Sequence, residues 1–268
     1  MITGASGHVG RAMRQRLADL PNEVRSVGRG GDLSAAMSDA DAVVHLAGAL
    51  QAIRGNTYEE ANVGTVRRTI AAMRGSSVRR VVYLSYVGAD PDSTNEYLAT
   101  KGEAECLVRD CGVDSVVVRS TFIFGPPDDP GPSAAPFLSK DGKAVSVIGT
   151  GEQLWAAVFV GDVAAALTGA ALDPAAPNGT FAIAGPETLT VDAFIDAINH
   201  HHVKKRHLRR VVARLLAVGL PTLTRTMVDV LAADSLADGP LITDVLGLDR
   251  RRVGQVHQQA RRADLQPS

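Results

Sequence analysis

The chain has 268 residues, 45% of them hydrophobic, and a formal net charge of −1. That size suits one large domain or a domain with an appended lobe, and the near-neutral balance excludes a bulk nucleic-acid binder. Its longest apolar run near the C-terminus, Val211 to Leu220, is interrupted by Arg214 and too short to span a bilayer, so no membrane partner is expected. The two cysteines, Cys106 and Cys111, lie five apart in one helical stretch, on different faces, which favours reduced thiols and a cytoplasmic protein.

The chain opens on Met1-Ile2-Thr3-Gly4-Ala5-Ser6-Gly7-His8-Val9-Gly10, followed by Met13, Leu17 and Leu20 at helical spacing. This is the layout of a strand, a tight turn and a helix N-terminus. Gly4 would permit the turn, Gly7 would let the backbone approach a pyrophosphate, and Gly10 would let helix and strand pack closely. The free amides and the positive end of the helix dipole would then hold the phosphates. Candidate cofactor-binding residues here are Gly4, Ser6, Gly7, His8, Val9 and Gly10. Three glycines alone are equally compatible with an ordinary turn. Only Met1 and Ile2 precede Thr3, whereas strands average about five or six residues. Either the natural start lies upstream or the strand is unusually short.

Pro21 and Asn22 break the first helix, and Glu23 to Val27 reads as the second strand, ending at Gly28-Arg29. In a dinucleotide fold the adenosine ribose lies at this point, where a basic residue accommodates a 2′-phosphate. Arg29 therefore favours NADP over NAD, with Asp32 and Leu33 as further candidates. The next clear strand, Ala42 to Ala47, starts only a dozen residues on, too soon for two crossovers and a strand. The third strand of the fold is expected to be lost or reduced to the Asp32-Leu33 stub, with Ser34–Ser38 a helical turn and the second strand at or near the sheet edge. Leu46, Ala47 and Gly48 end the Ala42 strand where a cofactor would cross, and His45 reads as a satisfied core histidine.

A helix containing Asn62-Val63-Gly64-Thr65 follows, then a strand over Val81–Ser85 and a helix from Tyr97 to about Cys111. Tyr97 and Lys101, four apart, point to the same side of that helix, twelve residues after the strand-end Ser85. Val113–Ser120 is the next strand, and Pro126–Pro136 reads as a surface loop or lid. Short strands are expected at Ala144–Ile148, Trp155–Val160 and Thr180–Ala184, with a helix over Asp162–Leu172. Helices follow over Val191–Asn199, Leu208–Leu220 and Thr224–Leu236, and the polar tail is expected to fray. The basic tract His200–His207 has no accompanying metal-ligand pattern and no interleaved aromatics, so it reads as a solvated connection.

In this order the pieces resemble the short-chain dehydrogenase/reductase superfamily, in its atypical and extended branch. The matching residues are Thr3 to Gly10, His45-Leu46-Ala47-Gly48, Asn62-Val63-Gly64-Thr65, Leu84-Ser85, Tyr97-x-x-x-Lys101, Arg119 to Pro126, Val160 to Ala164, and Gly185-Pro186-Glu187 with Leu189-Thr190. They cover roughly residues 1–200, and the remainder resembles a variable substrate lobe, in the style of relatives of the complex I accessory subunit. The resemblance implies an α/β fold, a Rossmann-type doubly wound parallel sheet with a truncated first and reduced third strand. It also implies an NADP-binding domain over 1–185, with 126–150 contributing to the substrate site, and a small, mostly helical lobe over 186–268. A Ser-Tyr-Lys mechanism would fall on Ser85, Tyr97 and Lys101, with Lys101 also holding the nicotinamide ribose and Thr121 and Phe122 joining the cofactor set. A free tyrosine has a pKa of about 10, and a nearby ammonium and the cationic nicotinamide would stabilise its phenolate. One departure stands out: Tyr86 occupies the place where many relatives carry a second serine.

The expected function is NADP(H)-dependent reduction of a ketone on a small, largely apolar molecule, as in a secondary-metabolite ketoreductase, with no metal. Trp155, Phe124, Phe137 and the Pro126–Pro136 loop are the expected pocket walls. A nucleotide-sugar epimerase or dehydratase would share the triad, but the C-terminal part shows no diphosphate-binding arginine pattern. A non-catalytic NADP(H) sensor or assembly protein is the third reading, against which the Tyr97/Lys101 pair argues. The oligomeric state is left open.

Overall fold

The computed structural model describes residues 1–28, 30–50, 55–140, 142–217 and 223–256. In chain order the first half comprises β1 (Ile2–Thr3), α1 (His8–Leu17), β2 (Ser26–Val27), α2 (Leu33–Met37), β3 (Ala42–His45), a π-helical turn (Glu59–Gly64) running into α3 (Thr65–Met73), β4 (Arg80–Tyr86), α4 (Glu96–Arg109) and β5 (Asp114–Ser120). The second half comprises β6 (Ile123–Phe124), β7 (Val145–Ile148), β8 (Leu154–Trp155), β9 (Val158–Phe159), α5 (Val160–Leu172), β10 (Gly179–Ile183), β11 (Leu189–Thr190), α6 (Val191–Asn199), β12 (Lys205–Leu208), α7 (Arg210–Leu216), α8 (Arg225–Leu231) and α9 (Ile242–Val245).

Six parallel strands form the central sheet in the order β10-β5-β4-β3-β1-β2. The expected shortage of chain is visible in it. Among the described residues no strand lies between β2 and β3 in the sequence, α2 is a single short crossover, and β2 ends the sheet. β1 is two residues long yet sits between β2 and β3, pairing Ile2 with both Ser26 and Val44.

Side-chain alternation along the strands explains the two covered faces. Val44, Val82, Val116 and Val118 pack with α1 and α5 through Met13, Leu17, Val163 and Leu167. The intervening Val43, Val81, Tyr83 and Val117 pack with α3 and α4 through Val66, Ala104 and Val108. A third core lies beyond the sheet, where Phe122 stacks on Trp155 at 4.2 Å and Phe124, Phe137 and Phe194 close around them. These aromatics, expected as pocket walls, are instead buried against one another and hold the segment after β5 to α6.

Several elements of the second half differ from the sequence reading. The basic tract expected as a solvated connection contains β12, paired in parallel with β7 from Lys205↔Val145 to Leu208↔Ile148. Trp155–Val160 splits into β8 and β9 because Ala156 turns aside to bond Ser235 and Gly185 through its backbone. The helix expected to reach Leu236 ends at Leu231, since the chain beyond it runs along β8, with Ser235 N donating to Leu154 O at 2.8 Å. Among the described residues no helix is long and apolar enough to cross a membrane. Both cysteines are free.

Candidate active site

The turn after β1 is built as its glycines require. Gly4 has φ +70°, and a Cβ there would stand 2.7 Å from Ala47 N at the end of β3. Gly10 faces Gly4 O and Ala5 so closely that any side chain would drive α1 off the turn. Gly7 is the N-cap of α1, with no side chain capping the helix and no acidic residue in its first turn. Among the described residues no side chain caps the orphan amides of this end, which is the arrangement a phosphate completes. Ser6 is exposed, and its carbonyl accepts from Arg11 at 3.1 Å. Val9 packs inward between two of the cores. His8 lies under the 125–131 loop, 3.5 Å from Asp129, and burial lowers its pKa. Asp129 also takes both its bonds from Arg11, so the proline-rich loop is tied to the first turn of α1.

At the other cofactor candidates the structure assigns definite local duties. Asp32 caps α2 by accepting from Ala35 N at 3.0 Å, and Leu33 packs against the α3–α4 core. Arg29 lies outside the described residues. Leu46, Ala47 and Gly48 leave β3 next to Gly4, and Asn62 of the π-helical turn reaches across to them. Its Oδ1 accepts from Ala49 N at 3.1 Å while its Nδ2 donates to Thr100 at 3.1 Å, pinning the loop to α4. Thr121 is fully buried and donates to Ala156 O at 2.6 Å, and Phe122 faces the aromatic core, so both side chains point into the protein body.

Ser85 lies near the end of β4, and Tyr97 and Lys101 lie on α4, which packs against that strand through the Lys101 bond to Leu84 O and the Tyr97–Tyr86 ring contact. Asn95 caps α4 and sets its start, which places Tyr97 in the first turn and Lys101 one turn on. All three are buried. Ser85 Oγ has no hydrogen-bond partner among the described residues. Lys101 Nζ donates to Leu84 O at 2.6 Å and lies 4.2 Å from the centre of the Tyr83 ring. Burial lowers its pKa to about 7, opposed by the Glu105 carboxylate. Tyr97 sits edge-on to Tyr86 at 5.7 Å and Tyr58 at 6.2 Å, with Val230 of α8 completing the cage. Burial, then the Tyr86 and Tyr58 phenols, push its pKa well above the usual tyrosine range. The Lys101 amine is turned to the β4 carbonyl at Leu84. His45 is the core histidine expected of it: it bonds Thr3 and Thr69 at 3.0 Å each, and burial lowers its pKa to about 3.

Tyr86 fills the place of the second serine. Its hydroxyl meets Ser235 at 3.2 Å, and its ring lines a cleft of about 530 Å³ between the end of β4, α4 and α8. Leu98, Val87, Val230 and Leu236 give this cleft apolar walls, while Ser85 and Tyr97 lie outside its lining. Arg210 is the one cation of the lining among the described residues, alongside Asp229, Asp234 and Asp238, and its Nε bonds Asp229 at 3.0 Å. A second ion network steadies α4 from behind. Arg119 grips the buried Glu105 at 2.9 and 2.7 Å and reaches Asp238 at 3.0 Å, which in turn accepts from Gly88 N. Tyr58 and this network carry no local sequence signature, because their partners lie far along the chain.

A parallel sheet whose first turn offers uncapped helix amides, with a tyrosine–lysine pair over the next strand ends, defines a dinucleotide-binding protein of the extended short-chain dehydrogenase/reductase superfamily. Residues 1–184 match the NAD dependent epimerase/dehydratase family, and the chain belongs to it. It is 27% identical over 218 residues to the mitochondrial NADH dehydrogenase (ubiquinone) 1 alpha subcomplex subunit 9 of Arabidopsis thaliana, covering 70% of this chain and 54% of that protein. It is 26% identical over 170 residues to 2-alkyl-3-oxoalkanoate reductase of Stenotrophomonas maltophilia, covering 48% of this chain and 52% of that one. The chain thus spans about half the length of these curated relatives. Among solved structures, human epimerase family protein SDR39U1 with NADPH superposes with a TM-score of 0.74 at 21% identity, covering 95% and 96% of the two chains. MoeE5 in complex with UDP-glucose and NAD gives 0.73 at 19% identity, covering 99% of each. These structural likenesses show the fold.

Proposed function

We propose that the protein is an NADPH-dependent reductase of a ketone on a small, largely apolar molecule, working in the cytoplasm. The observation that carries this reading is a buried Tyr97, its pKa pushed up by burial, with a Ser85 hydroxyl that has no hydrogen-bond partner among the described residues, near a cleft with apolar walls whose Arg210 is paired with Asp229. The glycine turn and the uncapped start of α1 would hold the cofactor pyrophosphate, Arg29 the 2′-phosphate, and Lys101 the nicotinamide ribose. NADPH, when bound, supplies the hydride. Tyr97 would give its proton to the carbonyl oxygen, and Ser85 would donate a hydrogen bond to that same oxygen. Residues 1–185 would serve as the cofactor domain and 186–268, with the 126–150 segment, as the substrate lobe and tail.

The epimerase reading has support from neighbours that bind UDP-sugars. Three carboxylates and one neutralised arginine make this cleft a poor place for a diphosphate. The discriminating measurements are NADPH oxidation by the purified protein against a panel of ketones, and product analysis of a panel of nucleotide sugars, whose epimerisation or dehydration returns the hydride and consumes no NADPH. Turnover of apolar ketones is expected. Tyr97→Phe should keep NADPH affinity while losing roughly 10²–10⁴-fold in turnover. Near-normal turnover by that variant would sink the proton-transfer role, and turnover of nucleotide sugars alone would sink the substrate class.

A further inference from the structure

Between Ala197 and Val228 the chain has no aspartate or glutamate, yet it carries Lys204, Lys205, Arg206, Arg209, Arg210, Arg214 and Arg225. For a protein of net charge −1 this is a concentrated basic segment. β12 and α7 fix most of it in place. Lys205 turns inward to Asp196, and Arg210 and Arg214 are both held by Asp229. Lys204, Arg206, Arg209 and Arg225 are exposed and make no ion pair among the described residues.

α7 has the reverse of an ordinary surface pattern. Ala213 is its one buried residue, whereas Val211 is 69% and Leu215 66% exposed, with Val212 and Leu216 also facing outward. A helix docked on a globular core would turn those four aliphatic side chains inward. Beside them, Val211 and Leu215 share a shallow depression of about 270 Å³ with Arg214 and Arg225. The Arg225 guanidinium, beside an Arg214 shared with Asp229 and two aliphatic side chains, matches a phosphate head and the start of an acyl chain.

We propose that α7 and the basic residues around it form a peripheral docking surface for an anionic phospholipid bilayer, on which the helix lies without spanning. Charge decides among the occupants. An isologous pairing of two copies through α7 would bring the unpaired cations of both together with no acid to meet them. Nucleic acid would match the charge but leaves the aliphatic side chains without a role, and no aromatic residue accompanies them for base stacking. An anionic bilayer satisfies both halves of the surface. Arg210 also lines the candidate substrate cleft, so the docked face would adjoin the mouth through which an apolar substrate enters.

The test is co-sedimentation of the full chain with vesicles of phosphatidylcholine alone or of phosphatidylcholine mixed with phosphatidylglycerol. Binding is expected to the anionic vesicles and to weaken as salt rises. Val211→Ser with Leu215→Ser should cut it at least about tenfold, with the melting temperature unchanged because both side chains are exposed. Arg206→Glu with Arg209→Glu should cut it about fivefold or more for each cation removed. Equal sedimentation with both kinds of vesicle, or wild-type binding by the Val211/Leu215 variant, would overturn the proposal. So would lipid-free dimerisation that the same variant abolishes, since a second copy would then be the occupant.

Discussion

Lys101 provides the sharpest test of the site, because its amine is held in a state that folding disfavours. Burial brings its pKa from 10.5 to about 7, which at about 1.4 kcal/mol per pH unit corresponds to about 5 kcal/mol. The sign follows from proton counting. Between pH 7 and 10.5 the unfolded chain keeps the proton and the folded chain has lost it, so stability rises with pH across that window. Below pH 7 both states are protonated and the full penalty applies. Lys101→Met removes the buried charge at nearly constant volume. It also loses the bond to Leu84 O, worth roughly 1.5–3 kcal/mol. The net expectation at pH 6 is a protein more stable by about 2–3 kcal/mol, or roughly 5 °C in Tm, and inactive. Thermal melts of the cofactor-free proteins at pH 6 and pH 9.5 read this directly: the wild type should gain on the alkaline side and the variant should not. Parallel profiles for the two proteins would refute the argument, since the amine would then titrate as a solvated one.

Three further outcomes are expected. Arg29→Ala should weaken NADPH binding by roughly 1.5–3 kcal/mol while leaving NADH affinity unchanged; titration of both cofactors checks it, and an unaltered preference removes Arg29 from the site. Arg119→Met removes the main partner of the buried Glu105, leaving it only the longer contact with Arg109, and should cost about 3 kcal/mol in urea unfolding, with Glu105→Leu/Arg119→Met together recovering most of the loss. His45 is neutral when folded and charges when unfolded, so it withdraws stability as pH falls from 6.5 toward 3. His45→Gln should make the acid limb of the stability profile shallower, and an unchanged slope would show that the ring is hydrated.

What the sequence made legible is what short spacing controls. The dozen residues between Arg29 and the Ala42 strand were enough to delete a strand and send β2 to the sheet edge. The four-residue step from Tyr97 to Lys101 was enough to put both on one side of α4. The direction in which Lys101 Nζ points was not legible, because helical spacing fixes the side of the helix and not the acceptor that meets it. The same holds for β12, whose partner β7 lies sixty residues earlier in the register Lys205↔Val145. Its lysine and arginine content reads as loop until that neighbour is known. The aromatic residues after β5 were legible as apolar and not as core, since only the fold brings Phe122, Trp155 and Phe194 into one cluster.

The contacts between lobe and triad suggest how binding and chemistry are joined. Each element that carries or frames Ser85, Tyr97 and Lys101 is fastened to the C-terminal part by a polar bond. Tyr58 meets Thr224 at 2.8 Å, and the α4 cap Asn95 donates to Thr226 O at 3.1 Å. Tyr86 at the end of β4 meets Ser235, and Gly88 just beyond it donates to Asp238 at 2.9 Å. Val230 adds an apolar contact to Tyr97 itself. The phenol therefore owes its burial, and with it its raised pKa, partly to α8, the helix that also walls the cleft. A ligand that shifts α8 would alter the solvation of Tyr97 and so its readiness to give up a proton. On the proposed function, the lobe assigned to the substrate would also set the acidity of the phenol assigned to proton transfer.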